Sequence, residues 1–244
     1  MEWTLLLRLA GPQQSWGTQS RFTVRETGRE PSKSGVIGLL CAALGKPRAE
    51  HPGDPWPPLS DLARLRMGVR VDSEGILMRD YHTAGGGPWP GLKNYGVSKA
   101  DGSGRDTVVS ERFFLADADF LIGLESSDLS LLRRLDAALA APHWQLFLGR
   151  KSFVPSVPVR LPDQPPLGPG LRRLPLEEAL STYPYRPAMD YGGQVSDRLR
   201  LVIDAAPGQI TNDVRNDVPL SFASRDFTLR YVRTDWIATP KEAN

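Results

Sequence analysis

Thr27-Gly28-Arg29-Glu30-Pro31-Ser32-Lys33-Ser34-Gly35-Val36-Ile37-Gly38-Leu39-Leu40 reads as a loop that turns into a helix. Pro31 and Ser32 end the loop, and a hydroxyl of Ser32 or Ser34 is placed to cap the first free amides. Val36, Leu39, Leu40, Ala43 and Leu44 recur at helical spacing and supply an apolar face. Gly35 and Gly38 leave the helix thin on one side, so its backbone is able to approach another surface closely. Free N–H groups, two hydroxyls, Lys33 and Arg29 together make a helix N-terminus with the chemistry of an anion or phosphate site. A Ser cap beside a Lys also occurs in helices that bind nothing, and these residues alone leave both readings open.

Working outward, Leu5-Leu6-Leu7-Arg8-Leu9 predicts a buried strand. It runs into a loop, Gly11–Gly17, in which Trp16 either packs beneath the loop or stacks on a ligand. Arg21, Arg25, Arg29 and Lys33 then recur every four residues, but Gly28 and Pro31 make them spaced cations on a loop rather than a helical stripe. After the helix, Lys46–Leu59 reads as surface loop, and Arg64–Asp72 alternates as a half-buried strand. Asp119–Leu124 predicts a short strand, Asp128–Ala140 a helix capped by Asp128, and Trp144–Leu148 a further strand. The order is βαββαβ, a ferredoxin-like (RRM-like) α+β arrangement over residues 1–153. An insertion at about 77–114 reads as a projecting arm with Gly-rich, polar content, too poor in apolar surface to order without a partner. Seven prolines between Pro155 and Pro175 mark a boundary or a draped loop. Arg198–Ile203 and Thr228–Arg233 then alternate as strands of a smaller β-rich C-terminal domain, 154–244.

The 244 residues carry a net charge of only +2, so bulk charge does not announce a nucleic-acid binder, although 24 of the 30 basic residues are Arg. Arg holds phosphate bidentately and stacks on bases. One cysteine excludes an internal disulfide, and neither a signal-peptide pattern nor a membrane-spanning run is present, so a cytoplasmic protein with no membrane partner is expected. No HExxH, Walker, GxSxG or zinc spacing occurs, and neither metal nor cofactor is expected. The pairs Asp117/Asp119 and Asp213/Asp217 read as turn and cap residues. Tyr81-His82, with Lys93 and Lys99, has the residue types of a metal-independent ribonuclease. Set against that, the three histidines are far apart in sequence, and packing at the base of the arm is the simpler role. Gly149-Arg150-Lys151-Ser152 places two cations at a strand end, which reads equally as a phosphate-holding loop or a solvated turn.

Leu5–Gly17, Thr27–Leu40, Arg79–Thr83 (RDYHT), Gly149–Ser152 (GRKS) and Phe222–Asp226 (FASRD), in this order, resemble the CasD family. These are the RAMP-type subunits of the type I-E CRISPR surveillance complex, Cascade. The resemblance implies a ferredoxin-like body whose thumb falls on the 77–114 arm. It further implies a non-catalytic antiviral-defence protein that caps the 5′ handle of the CRISPR RNA. Its partners would be the backbone subunit CasC, the large subunit CasA and, indirectly, target DNA. By position Arg112 matches a thumb arginine that touches the RNA. Arg29, Ser32, Lys33, Ser34, Tyr81, His82, Arg150 and Lys151 fall where handle contacts are expected, with Trp16 and Trp89 as candidate stacking surfaces. Repeat-cleaving ribonuclease activity remains the alternative, since related type I-C proteins have it.

Overall fold

The computed structural model describes residues 2–18, 23–85, 96–163, 168–187, 196–206 and 208–240. In chain order the elements are β1 (Trp3–Gln14), β2 (Val24–Arg25), α1 (Lys33–Leu44), α2 (Leu59–Arg64), β3 (Arg66–Ser73), β4 (Ile76–Ala84), β5 (Val97–Ser98) and β6 (Arg105–Asp106). They continue as β7 (Val108–Ser126), α3 (Leu129–Ala140), β8 (Leu171–Arg172), α4 (Leu176–Thr182), β9 (Arg198–Asp204), β10 (Asp213–Ser221) and β11 (Asp226–Ala238). A nine-stranded sheet runs β10-β11-β9-β3-β7-β1-β8, with β2 and β4 both paired to β7. Every pairing in it is antiparallel except β2 with β7.

The unbroken Leu5-Leu6-Leu7 run has a simple cause: both faces of β1 are covered, so no polar alternation is needed. Leu5, Leu7 and Leu9 join Val69, Val71, Phe120, Ile122 and Leu124 beneath α1 and α3. Leu6 joins Leu121, Leu201 and Ile203 beneath α4 on the other face. The strand at 66–73 is therefore not half-buried as its alternation suggested. Its polar side holds Arg70, fully buried, which donates to Asp72 and to the carbonyls of Leu180 and Tyr183 at the end of α4. Arg8 sits nearby, donating to Asp72 and Asp119 at 3.1 and 2.8 Å.

A glycine pair makes room for α4. Gly68 and Gly123 face each other across β3 and β7, and a Cβ on either would come within 2.6 Å of Leu180 or Leu176. We expect Gly123→Val to lower stability by about 1–3 kcal/mol through overpacking, read as a shift in the denaturant midpoint. An unchanged midpoint would mean that α4 does not rest on this trough.

Several elements differ from the sequence expectation. Trp144–Leu148 is not a strand. The amides of His143 and Trp144 donate to the Ala43 and Ala42 carbonyls near the end of α1, and Ser15 N–H donates to the Leu148 carbonyl. The outer edge of β1 is instead met by the proline-rich stretch, through Ser156 N–H to Ala10 O, Arg8 N–H to Val159 O and Leu6 N–H to Gly170 O. Prolines in that stretch remove donors, so the ladder there is broken into single bonds. The 46–59 stretch read as loop leads into α2, whose first residue is Leu59, and the short strand expected at 119–124 is the end of the 19-residue β7. Asp117, Asp119 and Asp213 lie in strands, Asp217 lies in a strand while accepting from the first amide of α1, and β10 was not anticipated. Finally, β9 pairs with β3, so the strands after residue 198 extend the same sheet across the boundary expected at 153/154.

Candidate nucleic-acid interface

The first half of β7 leaves the body of the sheet together with β4. Their register is regular from Ile76↔Ala116 to Ala84↔Val108. The departure point is marked by Asp117, whose φ of 57° is unusual for a residue with a side chain. Gly75 turns the chain from β3 into β4 at φ 68°, where a Cβ would lie 2.6 Å from the Ala116 carbonyl oxygen. Phe114 and Leu115 are buried at the base, while their ladder partners Met78 and Leu77 stay exposed.

At this base three arginines distant in sequence come together. Arg25 lies opposite Arg112 in the β2–β7 ladder, and Asp80 lies opposite Arg112 on its other side. Arg150 reaches the same place from its loop, its Nη2 donating to the Phe113 carbonyl at 2.8 Å and the Arg25 carbonyl at 3.2 Å. Its guanidinium also lies 5.4 Å from the Phe153 ring centroid. A cleft of about 350 Å³ is lined by Ser15, Gly17, Arg25, Glu26, Arg112, Gly149 and Arg150. Partial burial, followed by repulsion from Arg112, pulls the Arg150 guanidinium below its usual pKa; Asp80 opposes and Arg25 adds to the effect. An arginine stays charged throughout, so the smaller part of the shift, the repulsion from Arg112 and Arg25, marks a positive field that an anion would relieve.

Gly149 sets the loop that carries Arg150. Its φ is 93°, and a Cβ there would lie 1.8 Å from the Ser15 carbonyl oxygen. Leu148 N–H donates to Phe153 O at 2.7 Å, closing the loop. Lys151 beside it is exposed.

The other predicted residues divide. Helix α1 begins where expected, with Ser32 as cap, its Oγ accepting from Gly35 N–H at 3.2 Å, and the Ser34 hydroxyl 3.4 Å away. Its N-terminus is not an open anion site, because Asp217 already occupies it, accepting from Lys33 N–H at 2.8 Å. Lys33 is corrected from an RNA ligand to a structural residue: it is buried, with Nζ 2.9 Å from Asp204. Ser32 is likewise buried in its capping role. Arg29 remains exposed on the loop, whereas its neighbour Glu30 is buried between Arg200 and Arg215. Trp16 is corrected from stacking candidate to core residue: it is 2% exposed, its Nε1 donating to Gln14 Oε1, with Gly35 packed on its ring. Trp89, and Lys93 with it, lie outside the described residues.

Tyr81 and His82 are both accessible, but alternation along β4 sends them to opposite faces of the ladder. His82 shares the Asp80–Arg112 face, with Nδ1 3.3 Å from Asp80 Oδ2, and Tyr81 shares the Glu111 face. Arg25 belongs to the cleft although the sequence showed it only as one of several spaced cations. Its place depends on the parallel β2–β7 pairing, which has no local signature. Among the described residues no group of His, Cys, Asp and Glu is arranged to hold a metal ion, and no helix is long and apolar enough to cross a membrane.

Residues 4–233 match the family described as CRISPR-associated protein (Cas_Cas5). The CRISPR system Cascade subunit CasD of Escherichia coli (strain K12) is 35% identical over 162 residues, 61% of this chain, and the match spans 65% of that relative's length. A crystal structure described as a Cas protein superposes with a TM-score of 0.70 at 40% identity, covering 98% of both chains. A chain from a CRISPR RNA-guided surveillance complex superposes with a TM-score of 0.72 at 36% identity, covering 97% of this chain and 91% of that one.

Proposed function

The chain belongs to the CRISPR-associated Cas5 family, and from that membership we propose that it is a non-catalytic RNA-binding subunit of a type I-E Cascade complex. In this reading the sheet core is ferredoxin-like, the β4–β7 arm is its thumb, and the protein holds the 5′ handle of the CRISPR RNA. It bridges the backbone subunit CasC and the large subunit CasA in the cytoplasm. The observation that carries the reading is the cleft at the arm's base. Arg25, Arg112 and Arg150 converge there with Asp80 as the carboxylate facing Arg112 across the ladder. Guanidinia so placed suit the phosphodiester backbone of a single strand. Similarity to CasD and to a chain of an RNA-guided complex supports the same assignment. The opposed directions of Tyr81 and His82 count against a ribonuclease centre built from both.

The test is binding of labelled repeat RNA to the purified protein in EDTA. Arg112→Ala with Arg150→Ala should weaken binding and reduce the slope of log K against log salt by about 1.4, near 0.7 for each phosphate that is no longer neutralised. Unchanged affinity and slope would remove the cleft from the RNA path. The RNA should stay intact; cleavage that disappears in His82→Ala would establish the ribonuclease alternative instead.

A further inference from the structure

A single-stranded RNA needs a surface on which its bases stack as well as cations for its backbone. The arginine cleft supplies cations, but Trp16 is buried and has no ring face to offer. Trp236 has the opposite environment, being 52% exposed although it lies in β11 of the main sheet. A lone exposed tryptophan is ordinary, so the case rests on what surrounds this one. Directly opposed residues share a face of a sheet, and the register carries a row from Trp236 through Arg200, Val71 and Phe120 to Leu9. Val71, Phe120 and Leu9 lie beneath α1 and α3, which puts Trp236 on that same face. The row crosses β7 three residues from Asp117, where the arm departs, and meets β1 shortly before it leads into Ser15 and Gly17 of the cleft.

One loop links the two places. It begins at Arg25 on the cleft wall, passes the exposed Arg29 and ends at the buried Glu30, which accepts from Arg200 Nη1 at 2.7 Å. Arg200, the ladder partner of Trp236, also donates to Glu74 from Nε and Nη2 at 2.7 Å, so two carboxylates already neutralise it. Arg198 is exposed beside the ring, its Nη2 donating to the Trp236 carbonyl at 3.4 Å. The other exposed aromatics lie elsewhere. Alternation along β11 sends Tyr231 to the opposite face, and Tyr81 points away from the Arg112 face. Trp144 is bonded to the last turn of α1, the end opposite to the one packed on Trp16.

We infer that Trp236 is a stacking platform for one base of a single-stranded RNA whose backbone also passes the arginine cleft, with Arg29 and Arg198 beside the flanking phosphates. Every base has a π-face, so the indole adds affinity without choosing a sequence. Glu30 and Glu74 repel phosphate, and both are engaged by Arg200, which leaves Arg29 and Arg198 as the exposed charges nearest the ring along the chain. This inference rests on the chain being an RNA-binding subunit.

The experiment measures binding of labelled single-stranded repeat RNA to the full chain, with one abasic nucleotide scanned through every position. Trp236→Ala should weaken binding of the intact RNA about fivefold or more, the scale of one stacked base. Trp236→Phe, which keeps an aromatic ring, should retain most of the affinity, and Trp236→Leu, which keeps only apolar bulk, should fall with the alanine variant. At one position the abasic nucleotide should cost the wild type a similar factor and cost Trp236→Ala little, since ring and base are then lost together. Full RNA affinity in Trp236→Ala overturns the inference and assigns the ring to a protein contact. Retained affinity in Trp236→Leu overturns it as well, because bulk rather than stacking would then matter. So does a Trp236→Ala variant that responds to every abasic position as the wild type does. Failure of the RNA-binding reading gives a separate signature: Arg112→Ala with Arg150→Ala would also leave binding unchanged.

Discussion

Asp204→Ala is expected to destabilise the protein by about 3–5 kcal/mol, the cost of leaving buried charges without their partner. Asp204 accepts from Lys33 Nζ and from Met67 N–H, both at 2.9 Å, and from Arg230. Arg230 in turn donates to Asp217 at 2.6 and 2.9 Å, and Asp217 also accepts from the first amide of α1. One buried network thus ties the start of α1 to β9, β10 and β11, strands from the far end of the chain. Removing Asp204 strands Lys33 in a site that is 5% exposed. Equilibrium urea unfolding measures the loss, and a change below about 1 kcal/mol would mean that water replaces the carboxylate. Replacing both partners, Lys33→Met with Asp204→Leu, should recover much of the stability, because no charge is then left buried.

The same network sets the acid limit. Burial alone would raise the Asp204 carboxyl, but Lys33 and Arg230 outweigh it and hold the group below the usual carboxylate range. The unfolded chain therefore binds a proton more readily than the folded one. The stabilisation is complete above the ordinary carboxylate pKa and drains away as pH falls through the lower folded value. Asp204→Asn should be less stable at neutral pH and lose less on acidification than the wild type. Parallel acid limbs for the two proteins would contradict this.

Gly149→Ala is the second large effect. A methyl group there would overlap the Ser15 carbonyl, and the positive φ resists any side chain, so the 148–153 loop has to leave its place. Two consequences separate the structural from the functional role. Stability should fall by about 1–3 kcal/mol, read from the denaturant midpoint. RNA affinity, measured on folded protein, should fall about as far as in Arg150→Ala, because the guanidinium loses its Phe113 and Arg25 carbonyl anchors. Full RNA affinity in a destabilised Gly149→Ala would show that Arg150 finds its position without the loop.

How far the residues themselves announced this architecture varies by element. Helix α1 with its Ser32 cap and helix α3 with its Asp128 cap were legible, since a capping side chain and a 3.6-residue apolar period are local properties. The β3, β9 and β11 strands were legible for the same reason. Trp144–Leu148 has a strand's composition, but its first amide is spent on the end of α1, a bond that no local pattern encodes. Conversely, the proline-rich 154–175 stretch has a loop's composition yet supplies the missing edge of β1.

The site divides along the same line. Arg150 could be singled out from a motif and Arg112 only by its position in the family resemblance; the motif blocks identify the family across almost the whole chain. Lys33 and Trp16 carried the right chemistry for a ligand site in the wrong environment. An exposed and a buried lysine look the same until Asp204 and Asp217 arrive from the far end of the chain. Read along the chain, the residues dictate an inventory: which segments are amphipathic, where helices start, and which family the motifs belong to. Which cations face solvent and which are locked in the core emerges only once the sheet is assembled. The reason is physical, because burial and ion pairing are set by long-range strand pairing, here β2 with β7 and β9 with β3, rather than by neighbours along the chain.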